Sequence, residues 1–355
     1  MSIETQRFGT GPDDLERAAH MLRDGLTVAF PTETVYGLGA NALDAEAVSQ
    51  IFAAKGRPSD NPLIVHIARE QDLHPLVTHI PDQARLCMER FWPGPLTLIL
   101  PCTDRVPTTV TAGLSTVGIR MPDHDTALQL IAMAGVPLAA PSANRSGRPS
   151  PTTADHVLED LSGRIAGVVD GGPAGVGVES TVLDVTGDKP MILRPGGITR
   201  EMLEEVLGPV GIDPALGNEA IAPKSPGVKY THYAPQGTMY LVEGASARTK
   251  IAELVRAARE QGKKVGILTT DEETEAYHAA FSSERLPNGE EAVITLSLGS
   301  RDDLATVATH LYDAIRSFDH HGVEEIYAET FSEAGVGLAI MNRLRKAAGH
   351  RVISS

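Results

Sequence analysis

Residues 208–237 hold five prolines and no sustained apolar period. Proline fixes its own φ and removes a backbone donor, so such a stretch neither continues a helix nor joins a central strand. It reads as a linker, and it divides the 355-residue chain into a first domain, 1–207, and a second, 238–355. A chain of this length exceeds one ordinary core, which agrees with the division. Hydrophobic residues make up 42% and charged residues 22%, ordinary for a soluble globular protein. Aromatics are only 4%, so Val, Leu, Ile and Ala must fill the cores.

In the first part, apolar spacing predicts helices over Asp13–Asp24, Asp44–Lys55, Pro81–Arg90 and Asp125–Met133, the second capped by Asp44. Short apolar runs predict strands at Leu26–Phe30, Leu63–Ile67, Leu96–Leu100, Val117–Met121, Pro137–Ala140, Ala166–Asp170, Thr181–Val185 and Met191–Arg194. Strands cluster as well as alternate with helices, so the expected fold is α/β, a twisted mixed sheet with helices against it. The second part is more regular. Strands are expected at Thr238–Val242, Lys264–Thr269, Ala292–Leu296 and Glu325–Glu329, and helices at Ser246–Glu260, Asp302–Phe318 and Leu338–Ala348. That is a small doubly wound, Rossmann-like α/β domain.

Several function classes are disfavoured. No apolar run is long enough to span a bilayer, and the first ten residues lack a signal-peptide pattern. The two cysteines, Cys87 and Cys102, are too few for a disulfide framework or a zinc cluster; both read as inert thiols in a reducing cytoplasm. The formal charge of −15 opposes a broad nucleic-acid face, so direct nucleic-acid binding is expected to be weak or absent. A pure RNA-binding module would need that face. There is no G-x-x-x-x-G-K-[ST] loop, no G-x-G-x-x-G after a strand and no G-x-S-x-G elbow.

What carries chemistry is a series of polar clusters at strand ends. Pro31-Thr32-Glu33-Thr34-Val35-Tyr36-Gly37-Leu38-Gly39 gathers hydroxyls and a carboxylate after one strand. Lys55-Gly56-Arg57-Pro58-Ser59-Asp60-Asn61-Pro62 could clamp phosphate, and His66 follows on the next strand. A helix C-terminus dressed with cations is the plainer alternative there. Thr116 and Arg120 bracket a short apolar strand; the partner of Arg120 is either a ligand carboxylate or an Asp or Glu of the chain. Ser142-Ala143-Asn144-Arg145-Ser146-Gly147 with Ser150, then Glu179-Ser180-Thr181 and Arg194-Pro195-Gly196, complete the set. Five such segments in one domain imply one lined cavity for a ligand bearing phosphate and a carboxylate.

In their order and density these motifs resemble the YrdC-like threonylcarbamoyl-AMP synthases, in the longer form with an added C-terminal domain. The linker run Ser225-Pro226-Gly227-Val228-Lys229-Tyr230-Thr231-His232-Tyr233-Ala234-Pro235 is the mark of that longer form. The resemblance implies a nucleotidyltransferase that joins L-threonine, bicarbonate and ATP into threonylcarbamoyl-AMP, releasing pyrophosphate. Its product would pass to the transferase machinery that modifies adenosine 37 of tRNA. The related carbamoyl-transfer enzymes of hydrogenase maturation would require CxxC arrays and extra length, which this sequence lacks. By resemblance, Thr34, His66, Arg120, Ala140 (through its backbone) and Ser180 bind threonine. Arg57, Asn61, Thr116, Ser142, Ser150 and Arg194 bind ATP, with Tyr230 or Tyr233 closing from the linker. Lys55 and Arg57 are implied to act on the phosphates, and Mg²⁺ to accompany ATP without a protein cage of its own.

Overall fold

The computed structural model describes residues 3–217 and 233–355. It contains two compact units. The first comprises the described residues through Ser146 and from Ser150 to Gly217; the second comprises Gly147–Pro149 and Tyr233–Ser355.

In the first unit eleven strands form one sheet: β1 (Gln6–Phe8), β2 (Val28–Phe30), β3 (Gly37–Asn41), β4 (Ile64–His66), β5 (Leu96–Pro101), β6 (Thr116–Arg120), β7 (Leu138–Ala139), β8 (Gly167–Val169), β9 (Thr181–Asp184), β10 (Met191–Arg194) and β11 (Gly211–Ile212). Their lateral order is β1-β8-β2-β3-β7-β4-β6-β5-β9-β10-β11. The sheet is mixed. β4 runs parallel to β6 but antiparallel to β7, and β5 parallel to β9 but antiparallel to β6.

Successive side chains on a strand point to opposite faces, and here each face feeds its own core. Val28 and Phe30 join a cluster with Leu15, Leu22, Leu130 and Ile131, from the helices Pro12–Arg23 and Asp125–Ala134. Ala29, between them, belongs to a second cluster with Val48, Ile51 and Leu98. A strand covered on both sides carries an unbroken apolar run, which is why Val28–Phe30 shows no alternation. The helix Ala45–Lys55 starts as expected: the Asp44 carboxylate accepts from the amides of Glu46 and Ala47. It stops at Gly56, which takes the left-handed conformation at φ 62°.

The expected linker begins too early. β11 pairs in parallel with β10 through Met191↔Gly211 and Ile192↔Ile212, so ordered sheet extends past residue 207. Two sequence positions far apart from the rest of the second domain also join it: Ala234 N–H donates to Gly147 O at 3.0 Å, and the buried Arg316 donates to Pro149 O at 2.6 Å.

The second unit holds five parallel strands, β12 (Thr238–Glu243), β13 (Val265–Thr269), β14 (Val293–Ser297), β15 (Glu325–Glu329) and β16 (Val352–Ser354), in the order β14-β13-β15-β12-β16. Val265 and Ile267 pack with Ile251, Val255, Tyr277 and Phe281, from the helices Ala247–Glu260 and Asp271–Phe281. Gly266, between them, faces the other way, where an added Cβ would come 2.7 Å from the ring of Phe318 in the helix Leu304–His320. Helices therefore cover both faces, and the sheet is doubly wound. The helix Asp271–Phe281 and strand β16 had no counterpart in the sequence reading.

Candidate functional site

The polar segments read from sequence are stitched together by main-chain bonds. Leu38 N–H donates to Pro141 O (2.8 Å), Ala143 N–H to Tyr36 O (2.8 Å) and Tyr36 N–H to Pro151 O (2.9 Å). Thus the first cluster is zipped to the Ser142 and Ser150 loops. Val176 N–H reaches Glu33 O (2.7 Å), and Ser146 N–H reaches Lys55 O (2.9 Å). The Tyr36 hydroxyl donates to Gly172 O at 2.7 Å, and burial pushes its pKa up to about 12, so it stays a neutral pin. The glycine of Arg194-Pro195-Gly196 permits a backbone crossing: a Cβ on Gly196 would lie 2.2 Å from Glu179 O and 2.4 Å from the Thr181 nitrogen.

Within this frame Arg120 ends β6, opposite His66 at the end of β4. Arg120 donates through Nη1 to Thr34 Oγ1 at 2.9 Å and through Nε to Gly94 O at 3.3 Å. Its Nη2 lies 2.6 Å from Glu33 Oε1, with both side chains largely buried. The alternative of a chain carboxylate is therefore realised, and the sequence reading gave Glu33 no role. Thr34 Oγ1 also shares a bond with Thr32 Oγ1 at 2.8 Å. His66 packs edge-on to Phe30, 5.9 Å between centroids, and its buried Nδ1 has no hydrogen-bond partner among the described residues. Burial, reinforced by the positive charge of Arg120, lowers its pKa to about 3, so the imidazole is neutral. The Ala140 backbone joins the same wall, its N–H donating to Ile64 O at 2.9 Å.

Ser180, at the entrance to β9, bonds Thr97 Oγ1 through its hydroxyl at 2.8 Å. The buried Arg194 donates to Ser180 O from Nε (3.2 Å) and Nη2 (2.9 Å), and to Ser180 Oγ at 3.2 Å. These two residues, expected on opposite sides of the ligand, are thus directly bonded. Ser150, fully buried, donates to Glu179 Oε1 at 2.5 Å, a second carboxylate that the sequence reading left without a role. Asn61 is also fully buried, and neither its Oδ1 nor its Nδ2 has a hydrogen-bond partner among the described residues. Its carbonyl receives Arg57 Nη2 at 3.3 Å. Thr116 starts β6, paired with Pro101, and is half-buried.

Two of the expected residues have partners within the chain. Lys55, read as facing phosphate, is buried with its ammonium donating to Ser142 O (2.5 Å) and Asn144 O (2.6 Å); Ser142 Oγ in turn donates to Asn144 Oδ1 at 2.6 Å. A cation placed on two carbonyls braces this loop. Tyr233 lies in the second unit, 5.2 Å from the ring of Tyr312 and with the guanidinium of Arg343 over it at 5.7 Å. Tyr230 is outside the described residues. The loop glutamates and Asn144 were missed because their identities are ordinary in turns; only their three-dimensional partners distinguish them. Glu33, inside the densest motif, carried the one available signal.

The chain matches two family models. One, of the Sua5, YciO and YrdC proteins and described as telomere recombination, covers residues 20–196. The other, described as the C-terminal domain of threonylcarbamoyl-AMP synthase, covers 198–349. A Bacillus subtilis protein named threonylcarbamoyl-AMP synthase is 54% identical, over 98% of this chain and 97% of that protein. A Pyrococcus abyssi protein of the same name is 49% identical, over 95% and 94%. The crystal structure of P. abyssi Sua5 complexed with L-threonine superposes with a TM-score of 0.89 at 46% identity and covers 100% of both chains. This chain belongs to the Sua5 family of threonylcarbamoyl-AMP synthases.

Proposed function

We propose that this protein is an L-threonylcarbamoyladenylate synthase, a nucleotidyltransferase that condenses L-threonine, bicarbonate and ATP and releases pyrophosphate. The reading rests on one observation above all. Two buried polar groups, the Asn61 carboxamide and His66 Nδ1, have no hydrogen-bond partner among the described residues, and His66 lies opposite Arg120. Buried polar atoms without partners are costly, and a ligand that meets them is the direct explanation.

Arg120 and Thr34 receive the threonine carboxylate. Glu33 then holds the guanidinium at the correct height, and neutral His66 offers a hydrogen bond without adding charge. Ser180 and the Ala140 backbone complete that side. Arg57, Asn61, Thr116, Ser142, Ser150 and Arg194 take the nucleotide. Lys55 shapes the Ser142 loop.

The threonine amine adds to carbon dioxide with loss of a proton, or to bicarbonate with a C–O bond broken and water leaving, and gives a carbamate. A carbamate oxygen forms a bond to the α-phosphorus as the bond to the pyrophosphate oxygen breaks, and the electron pair leaves with pyrophosphate. Alignment and stabilisation of charge on the phosphoryl oxygens govern such a step. Arg57 and Arg194 supply the charge, and no nucleophilic side chain is required. The described residues offer no group of three or more His, Cys, Asp or Glu suited to a resident metal ion. Mg²⁺ enters as part of the substrate MgATP, keeping most of its waters. The product serves a separate transferase acting on tRNA, and the setting is the cytoplasm.

The test is incubation with ATP, bicarbonate and a panel of amino acids, with products identified by mass. Threonine-dependent pyrophosphate release with an adenylate of threonylcarbamate is expected. Release independent of threonine, or an adenylate of another amino acid in preference, overturns the assignment.

A further inference from the structure

Glu33 lies in the loop between β2 and β3, which is fixed by its own hydrogen bonds. Thr32 Oγ1 accepts from the amides of Thr34 (3.2 Å) and Val35 (3.3 Å) and donates to Val35 O (2.6 Å), while Val176 N–H donates to Glu33 O (2.7 Å). A set backbone therefore presents the carboxylate, whose side chain is only 13% exposed. One oxygen is engaged: Oε1 lies 2.6 Å from Arg120 Nη2. The other, Oε2, is buried and has no hydrogen-bond partner among the described residues. A carboxylate oxygen only accepts, so whatever meets Oε2 must donate, and a buried acceptor without a donor is costly.

The neighbour on the other side does not supply that donor's charge. His124 packs beside Pro31, at the start of the same loop: a Cβ on Gly171 would come 2.6 Å from Pro31 Cγ and 3.3 Å from His124 Cε1. Burial lowers the His124 pKa against the opposing pull of the Glu33 charge, so the imidazole is neutral at pH 7 and adds no positive charge beside the carboxylate. An amino acid does supply it. Its carboxylate and ammonium are borne by one carbon, and here a guanidinium and a carboxylate are held side by side to meet them. The guanidinium has more N–H groups than its contacts with Thr34, Gly94 and Glu33 use, so it can still receive the substrate carboxylate. The ammonium then falls against Glu33.

We propose that Glu33 is a catalytic residue: its Oε2 binds the threonine ammonium and removes the proton that must leave before the nitrogen can form a bond. This rests on the synthase reading given above. The steps balance as follows. The ammonium gives one proton to Glu33, which frees the nitrogen lone pair. That pair forms the N–C bond to bicarbonate, and the proton on Glu33 passes to the hydroxyl that leaves as the C–O bond breaks, so water departs. The nitrogen, now positively charged, gives its second proton to the ionised Glu33, which releases it to solvent, and the carbamate remains. A positioned carboxylate serves as general base and general acid in turn. The transfer to the α-phosphorus that follows involves no proton on nitrogen and makes no use of Glu33.

Running the reaction in both directions tests this. Threonylcarbamoyl-AMP and pyrophosphate return ATP by phosphoryl transfer alone, with no ammonium present. Glu33→Gln keeps the shape of the side chain and cannot take up a proton. Its forward kcat at saturating threonine should fall at least about a hundredfold, while ATP formation in the reverse direction stays near the wild-type rate. A Glu33 that merely seats Arg120 would impair both directions alike, because the adenylate carries the same carboxylate. The proposal is overturned if both directions fall together, or if the forward rate survives. A measurement on the wild type needs no variant: the hydroxy acid analogue of threonine, with a hydroxyl in place of the ammonium, should bind at least about tenfold more weakly than threonine in calorimetry. Equal binding overturns the proposal. Wild-type protein that runs neither direction is a different result; there the synthase assignment itself fails, and the proposal falls with it.

Discussion

Replacing Lys55 with methionine separates a structural brace from a phosphate ligand. The side chain is 4% exposed, and its ammonium bonds Ser142 O and Asn144 O at 2.5 and 2.6 Å. Methionine keeps the length of the chain and removes every donor. A hydrogen bond to a charged group contributes about 1.5–3 kcal/mol, and two carbonyls would lose a partner. Relief of the ammonium's own desolvation offsets part of this. A net loss of about 3 kcal/mol is expected, or roughly 6–12 °C in the melting temperature of a unit this size. Trp92 is the single tryptophan, lies in the first unit and is nearly buried, with Nε1 donating to Leu96 O at 2.8 Å. Its fluorescence during urea unfolding therefore reports on the unit that Lys55 braces. If Lys55→Met unfolds within about 0.5 kcal/mol of the wild type yet makes no adenylate, the brace is refuted and Lys55 acts on the phosphates.

Arg57→Ala should lower threonine-dependent pyrophosphate release at least about tenfold with a smaller effect on the urea midpoint than Arg194→Ala, since Arg57 is half-buried and its Nη2 bond to Asn61 O is long, at 3.3 Å. Arg194→Ala should lose activity similarly but also lose stability, because its buried guanidinium donates to Ser180 at three points. His66 titrates near 6.5 when unfolded and about 3 when folded, so between these values the unfolded chain binds the extra proton. Its contribution is complete above pH 6.5 and is lost as the pH falls toward 3, at up to about 1.4 kcal/mol per pH unit; His66→Asn should flatten that part of the stability profile. Cys87 is fully buried and its thiol is pushed up to about 11, so iodoacetamide should leave it unmodified in the native protein and label it fully in urea.

Elements with a strong local signal were legible in the sequence. The Asp44 cap and the apolar stripe Val48, Ile51, Phe52 define a helix that needs no tertiary help to be recognised. β3 was hidden, because Gly37-Leu38-Gly39-Ala40-Asn41 has the composition of a loop. Its glycine is required by a neighbour: a Cβ on Gly39 would come 2.9 Å from the Phe30 ring. The helix Asp271–Phe281 buries only Tyr277 and Phe281, too few to mark a face. β1 and β16 have three residues each, and short edge strands carry little pattern. Most members of the candidate site were readable because hydroxyl and guanidinium side chains recur at strand ends. The pairing of Arg120 with Glu33, and of Ser150 with Glu179, joins residues 87 and 29 positions apart (120 − 33 and 179 − 150) and depends on the lateral order of strands. Local sequence does not encode that order.

The lateral order of the first sheet also has a kinetic meaning. β8 lies between β1 and β2, and β9 completes the flank of β5, so Gln6 waits for Gly167 and Leu96 waits for Thr181. During synthesis the amino-terminal strands leave the ribosome long before their neighbours exist. Pairings of such long sequence separation form slowly, after the entropy of closing large loops has been overcome. The candidate site therefore cannot mature by degrees from the amino terminus. It comes into being late, once Arg194 and Gly196 have been translated and can cross behind Ser180.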